Sequence, residues 1–246
     1  MKIIFLGTGH GSATATHMSS VTYLECGGKT YLVDCADGAD AVMMQKHLKV
    51  AELSAVFITH WHLDHTGGLP VVMKRCLKAE GSDLKLVLPE LKVAPVMEQW
   101  MALQGFGPKL EKKPFTYFDS LEGYNDGNVE LKAFPTRHLA IGNRPSYAYT
   151  LQTEGKKLCF TGDLKGDCSD FPFDAANGCD LVVSELTHFR LHHIWPFLEK
   201  LQIGALVFNH IGNWSQVPEE QEIIKEECKK LPYPVTIAFD GMVYEL

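Results

Sequence analysis

The chain has 246 residues, 46% of them hydrophobic and 22% charged, with 30 acidic against 23 basic side chains and a formal net charge of −7. That length buries a substantial core and that balance is ordinary for a globular protein, which excludes a disordered or fibrous chain. The negative field repels phosphate backbones and anionic bilayers, which disfavours unselective nucleic-acid binding, and no stretch approaches the roughly 18 continuous apolar residues of a membrane span.

In chain order, the opening run Ile3 to Leu6 gives way at once to Gly7-Thr8-Gly9. It is too short for the apolar core of a secretion signal, so a soluble cytoplasmic protein without membrane partners is expected. Lys2 to Leu6, Val21 to Glu25, Thr30 to Val33 and Val56 to Thr59 predict strands, with Gly27-Gly28 as a hairpin turn. Ala39 to Leu48, Leu69 to Ala79 and Val93 to Leu103 have helical length and spacing. The second half repeats the mixture. Strands are predicted over Val129 to Phe134, Tyr147 to Gln152, Leu158 to Thr161, Leu181 to Ser184, Leu206 to Asn209 and Val235 to Phe239, and a charged amphipathic helix over Glu219 to Lys230. No repeat or linker interrupts the chain. Residues 1–246 therefore read as one α/β domain with two sets of strands.

Several conspicuous residues have plain roles in this reading. Trp100 with Val96 and Leu103, and Ile194 with Phe197 and Leu198, recur at helical spacing and are expected in the core. Lys74, Arg75 and Lys78, and Lys109, Lys112 and Lys113, are clusters small enough to be solvated faces. Seven cysteines, without a C-x-x-C pair, read as reduced thiols buried mostly in strands, with one or two able to touch a metal.

The residues that carry chemistry stand at strand ends. His60, His62, Asp64 and His65 fall within six positions directly behind the apolar run Ala55-Val56-Phe57-Ile58 and just before Gly67-Gly68. A solvated polar loop is the ordinary alternative, but three histidines and an aspartate behind a buried-type strand have no packing role there. His60 and His62 are two apart, so in extended chain their imidazoles leave on one side and reach one ion. A turn then aims Asp64 and His65 at a second position. Imidazole with carboxylate suits zinc, manganese or iron. His138 follows the run Val129 to Pro135, Asp163 follows Leu158 to Thr161, and His210 follows Ala205 to Asn209. Each alone reads as a surface histidine or a turn aspartate, but together with the first motif they read as ligands. Trp61 and Trp214 stand beside these histidines and line a pocket or pack at a sheet edge. The Gly7 to Gly11 loop is either a tight turn or a set of backbone N–H groups facing an anionic substrate, with His10 at its flank.

The order H-x-H-x-D-H behind a strand, then one His, one Asp and a final His, resembles the metallo-β-lactamase superfamily over nearly the whole chain. The resemblance implies an αββα four-layer sandwich with a metal site at one edge of its two sheets. It implies that His60, His62 and His138 hold a first metal, that Asp64, His65 and His210 hold a second, and that Asp163 bridges them. His62 stands where the oxygen-reducing diiron members have glutamate, which favours a hydrolase.

Within the superfamily, Phe5-Leu6-Gly7-Thr8-Gly9-His10-Gly11 and Arg144-Pro145-Ser146-Tyr147-Ala148-Tyr149 are similar to the ribonuclease Z branch of phosphodiesterases. Two features depart from it. Only 25 positions (163 − 138) separate His138 from Asp163, too few for that branch's RNA-gripping arm. Val183-Ser184-Glu185-Leu186-Thr187 resembles its H-E-A-T element but has Ser184 in place of the histidine, which leaves His188 or His192 as the expected general acid, with Glu185 as a partner.

The expected activity is a metal-dependent phosphodiesterase acting on a small or single-stranded phosphate ester, such as a short nucleotide, with no extended nucleic-acid binding. Two divalent ions, zinc before manganese or iron, would lower the pKa of a bridging water to about 7 and supply hydroxide at neutral pH. Asp64 would orient that nucleophile. Two rival readings remain: a thioester or lactone hydrolase on the same scaffold, and a non-catalytic metal-binding adaptor. A homodimer is possible, as in relatives.

Overall fold

The computed structural model describes residues 1–246. Strands β1 (Lys2–Gly7), β2 (Val21–Cys26), β3 (Lys29–Val33), β4 (Leu53–Phe57), β5 (Lys85–Leu88) and β6 (Thr116–Asp119) build one sheet. A second contains β7 (Tyr124–Asn125), β8 (Glu130–Pro135), β9 (Tyr147–Thr153), β10 (Lys156–Phe160), β11 (Leu181–Leu186), β12 (Ala205–Ile211) and β13 (Val235–Ile237), after which β14 (Met242–Glu245) returns to the edge of the first. The helices are α1 (Ala39–Gln45), α2 (Leu63–Thr66), α3 (Leu69–Lys78), α4 (Ala94–Met101), α5 (Gly107–Lys112), α6 (Phe173–Ala176), α7 (Leu191–Leu198) and α8 (Pro218–Cys228).

Both sheets follow one plan. β1, β2 and β3 form an antiparallel meander, and β4, β5 and β6 continue from β3 in parallel. Likewise β7 to β10 are antiparallel, and β11, β12 and β13 continue from β10 in parallel. Parallel neighbours need a crossover, and the helices supply it.

Alternation along the strands makes the layers. Ile3 and Phe5 pack between the sheets with Tyr31, Phe57, Tyr149 and Val207, whereas Ile4 and Leu6 face outward against Met43, Val72 and Met73 of α1 and α3. Across the second sheet, Val182, Leu206 and Phe208 pack against Ile194, Leu198 and Ile224 of α7 and α8. Each such side chain fully removed from water stabilises the fold by roughly 1.5–3 kcal/mol. Two sheets face to face with helices outside are the αββα four-layer sandwich.

Some elements differ from the sequence reading. The strand expected over Val56 to Thr59 is Leu53–Phe57, so Ile58 and Thr59 already belong to the turn that carries the ligand motif. The first helix ends at Gln45 rather than Leu48. The strands β5, β6, β7 and β14 and the helices α2, α5 and α6 are additional; at two to six residues each they are too short to show a period. Val96, Trp100 and Leu103 are 62%, 56% and 78% exposed, so their helical spacing is right and their core placement wrong. Ala94 and Met101 are the buried residues of α4, because a stripe of period 3.6 does not say whether anything covers it. Ile194 and Leu198 are buried as expected. All seven cysteines are free and buried, but only Cys26 and Cys159 lie in strands. No helix is long and apolar enough to cross a membrane.

Candidate metal centre

The centre lies at the carboxyl ends of the parallel strands, where open α/β sheets present their loops. At the end of β3 the chain turns through Asp34, whose φ of 60° breaks the extended run. Asp34 accepts the Thr59 N–H at 2.8 Å and the Thr59 hydroxyl at 3.0 Å, and its other oxygen lies 2.7 Å from Nδ1 of His65. The Cys35 N–H donates to the His65 carbonyl at 2.7 Å. The turn behind β4 is therefore pinned at both ends. Gly68 closes it, since a Cβ there would sit 2.1 Å from the Ala36 carbonyl. His62 caps α2, and the helix swings Asp64 and His65 away from His60.

The second sheet supplies the other residues. His138 follows β8, and Asp163 follows β10 through Gly162, where a Cβ would meet the Tyr147 carbonyl at 2.5 Å. His210 differs from expectation: β12 does not stop at Asn209 but runs to Ile211, with His210 inside it at a φ of 48°. The register between β11 and β12 shifts at this point. Such a bulge re-aims a side chain that the regular pleat would point elsewhere.

Asp163 sits at the middle. One oxygen lies 3.6 Å from His60 Nε2 and 3.5 Å from His138 Nε2; the other lies 3.4 Å from His65 Nε2 and 3.5 Å from His210 Nδ1. His138 Nε2 is 3.1 Å from His62 Nδ1, and Asp64 is 3.2 Å from His210 Nε2. All seven sequence-predicted ligands are thus brought together. His60, His62, His138 and Asp163 form one group whose donor atoms lie within 4.8 Å of one another, and Asp64, His65 and His210 form another. No cysteine joins either group, so none of the seven takes the metal contact open to one or two of them in the sequence reading.

Buried His60 Nε2, Asp163 Oδ1 and His210 Nδ1 have no hydrogen-bond partner. Buried polar atoms are normally satisfied, and three orphans gathered around Asp163, on the sides of both its oxygens, are what cation ligands look like. The donors are nitrogen and oxygen, which fits zinc, manganese or iron. Electrostatics agrees. Burial holds the His60 and His138 imidazoles below their usual pKa and so neutral, the form that can coordinate. Burial would also disfavour charge on His65, but Asp163 and Asp34 overcome it and draw the imidazole toward its protonated form. The same field of carboxylates would favour a divalent cation. Burial alone would raise Asp64 and Asp163, yet the surrounding histidines hold both carboxyls well below the usual range.

The two general-acid candidates separate. His188 Nδ1 lies 2.7 Å from Glu185 Oε2 and 3.9 Å from Asp163. Glu185 also accepts the N–H groups of Leu164, Thr187 and His188, so its oxygens are committed to holding this turn. Burial opposes protonation of His188, but Glu185 prevails and raises its pKa. His192 is not brought to the centre; it lines a separate cavity between α7 and α8. Ser184 is fully buried beneath the cluster and donates to the Glu185 carbonyl.

Of the two readings of the glycine loop, the structure matches the tight turn. The Thr8 N–H donates to Asp240, the Gly9 N–H to the Met18 carbonyl and the Gly11 N–H to Asp64 at 2.7 Å. These donors are spent on anchoring the loop and one ligand. His10 stands with its ring 6.1 Å from that of His210. Trp61 packs against the outer core and Trp214 against the core under α7. Sequence reasoning missed Asp34, Thr59 and Asp240. Asp34 carried the same signal as the ligands, a carboxylate directly behind a predicted strand.

Residues 1–193 match the family model described as anti-Pycsar protein Apyc1. Zinc phosphodiesterase ELAC protein 1 of Mus musculus is 40% identical over 70 residues, 28% of this chain and 19% of that protein. Ribonuclease Z of Methanocaldococcus jannaschii is 28% identical over 235 residues, 94% of this chain and 62% of that protein. The chain thus spans less than two thirds of the length of these relatives. In structure it is similar to the metallo-β-lactamase fold protein YhfI from Bacillus subtilis, with a TM-score of 0.77, 19% identity and 100% of this chain covered. The sandwich described above is that fold.

Proposed function

The chain belongs to the anti-Pycsar protein Apyc1 family, and on that premise we propose that residues 1–246 act as one unit, a binuclear metal-dependent phosphodiesterase on a small or short single-stranded phosphate ester. The observation that carries the reading is the placement of Asp163, whose two oxygens face two different histidine groups. His60, His62 and His138 would hold one ion and Asp64, His65 and His210 the other, with Asp163 shared; zinc is the first choice and manganese or iron the next. A pair of divalent ions supplies an acidified water as nucleophile and offsets negative charge on the substrate's oxygens.

The chain's own groups do the rest. Asp64, fixed by the Gly11 N–H, accepts a hydrogen bond from the nucleophile and orients it. His188 protonates the leaving oxygen. Its Nδ1 is committed to Glu185, which leaves Nε2 to donate, and the Glu185 carboxylate raises its pKa, which favours the protonated form an acid needs. The small-substrate assignment is supported by the 25 positions between His138 and Asp163, which are spent on the β8–β9 turn and the β9–β10 hairpin.

The test is turnover of bis(p-nitrophenyl) phosphate with zinc or manganese beside a panel of thioesters and lactones. Phosphodiester cleavage that vanishes in Asp64→Ala supports the proposal. No phosphodiester cleavage with any metal overturns it, in favour of a thioester or lactone hydrolase if those are cut and of a non-catalytic protein if nothing is.

A further inference from the structure

Asp240 belongs to neither donor group, yet its hydrogen bonds lead to one of them, and we infer that it is the positioning residue of the metal subsite formed by Asp64, His65 and His210. The inference rests on the two-ion reading above.

Asp240 stands where the chain crosses from the second sheet to the first, between β13 and β14. The crossing is tied to both sheets: the Ala238 N–H donates to the Phe208 carbonyl of β12 at 2.8 Å and the Gly241 N–H to the Phe5 carbonyl of β1 at 2.7 Å. One Asp240 oxygen accepts the Thr8 N–H at 2.9 Å and the Thr8 hydroxyl at 2.7 Å, and the other accepts the Met18 N–H at 2.6 Å. These are charge-assisted bonds, roughly twice as strong as neutral ones. Thr8 and Met18 flank the middle of the β1–β2 loop, Gly11 to Thr16, which is exposed. An exposed stretch buries little of its own and takes its position from its ends.

From this grip two short paths reach ligands. The Thr8 carbonyl accepts the Ile211 N–H at 2.6 Å, and Ile211 directly follows His210, whose φ of 48° belongs to the bulge. Further along the same loop, the Gly11 N–H donates to Asp64 at 2.7 Å, on the oxygen that lies 3.2 Å from His210 Nε2. His65 is held separately, by Asp34. The histidines of the other group are bonded elsewhere, His60 to Thr59 and His62 to His138. Release of the loop from Asp240 therefore loosens two donors of one group and leaves the other in place. Partners standing behind metal ligands set donor direction, and with it metal affinity.

Stepwise loss of zinc from the loaded protein to a competing chelator tests this. His210→Ala and His138→Ala, each removing a ligand from a different group, identify which step belongs to which. Asp240→Ala should weaken the step that His210→Ala weakens by about tenfold or more and leave the other within about twofold. Asp240→Asn keeps an oxygen for Thr8 but has no acceptor for Met18, so it should weaken the same step by about threefold or more, the worth of one hydrogen bond; it carries the test if Asp240→Ala does not fold. A role in fold stability alone would move both steps alike or neither. Either result, or an effect confined to the other step, would overturn the proposal while leaving the two-ion reading intact. A single zinc step in the parent would instead overturn that reading, and this one with it.

Discussion

The two halves of the molecule are built on one plan but feed the centre differently. The first sheet delivers its contribution in a single turn behind β4, where His60, His62, Asp64 and His65 fall within six residues, pinned from beneath by Asp34. The second delivers His138, Asp163, Glu185, His188 and His210 one strand end at a time. The contiguous half specifies its geometry locally, through a turn and a short helix. The dispersed half depends on strand register, including the bulge that turns His210 inward. Asp163 joins them, and a change there should do the most damage.

Asp163→Ala should lower phosphodiester turnover by about a thousandfold or more, since several kcal/mol of electrostatic stabilisation at tenfold per 1.36 kcal/mol is lost; far-ultraviolet circular dichroism should be unchanged. Turnover within tenfold of the parent would break the claim that the halves meet on this carboxylate. His188→Ala sharpens the role of the second half. With an alkoxide leaving group it should cost about a hundredfold, and with p-nitrophenolate, which needs no proton, only a few-fold. Equal losses on the two substrates would remove His188 as the acid.

Asp34→Asn probes the first half from below. His65 keeps a hydrogen-bond partner but loses its charged one, and metal affinity measured by competition with a chelator should fall by about 10–100-fold. An unchanged affinity would make Asp34 a purely structural residue. Turnover against pH should follow both halves. His60 and His138 are held below the ordinary imidazole pKa of about 6.5, so their loss as ligands comes below that pH; His188 is held above its ordinary pKa, so the alkaline decline lies above 6.5. A profile flat from pH 5 to 9 would contradict both assignments. The smallest effect belongs to His192→Ala, which should leave bound metal, measured by mass spectrometry, unchanged.

The same contrast explains what the sequence made legible. The six-residue motif behind an apolar run identified itself, because spacing alone places its side chains. His138, Asp163 and His210 were identified only by their order along the chain, since what unites them is pairing between strands far apart in sequence. The re-aiming of His210 was invisible, because a bulge changes one φ angle and leaves no compositional mark. The separation of His188 from His192 was equally hidden: both lie near the start of α7, and only the Glu185 contact tells them apart. In the fold, period and alternation gave the longer strands and helices. They did not say that the apolar stripe Val96, Trp100 and Leu103 faces outward.

The central claim is that two sets of side chains, joined through Asp163, hold two cations. Metal content of the chain after saturation and removal of free ion measures this directly. The account predicts two divalent ions per chain in the parent and fewer in Asp163→Ala; one ion or none in the parent, or an unchanged count in the variant, would contradict it.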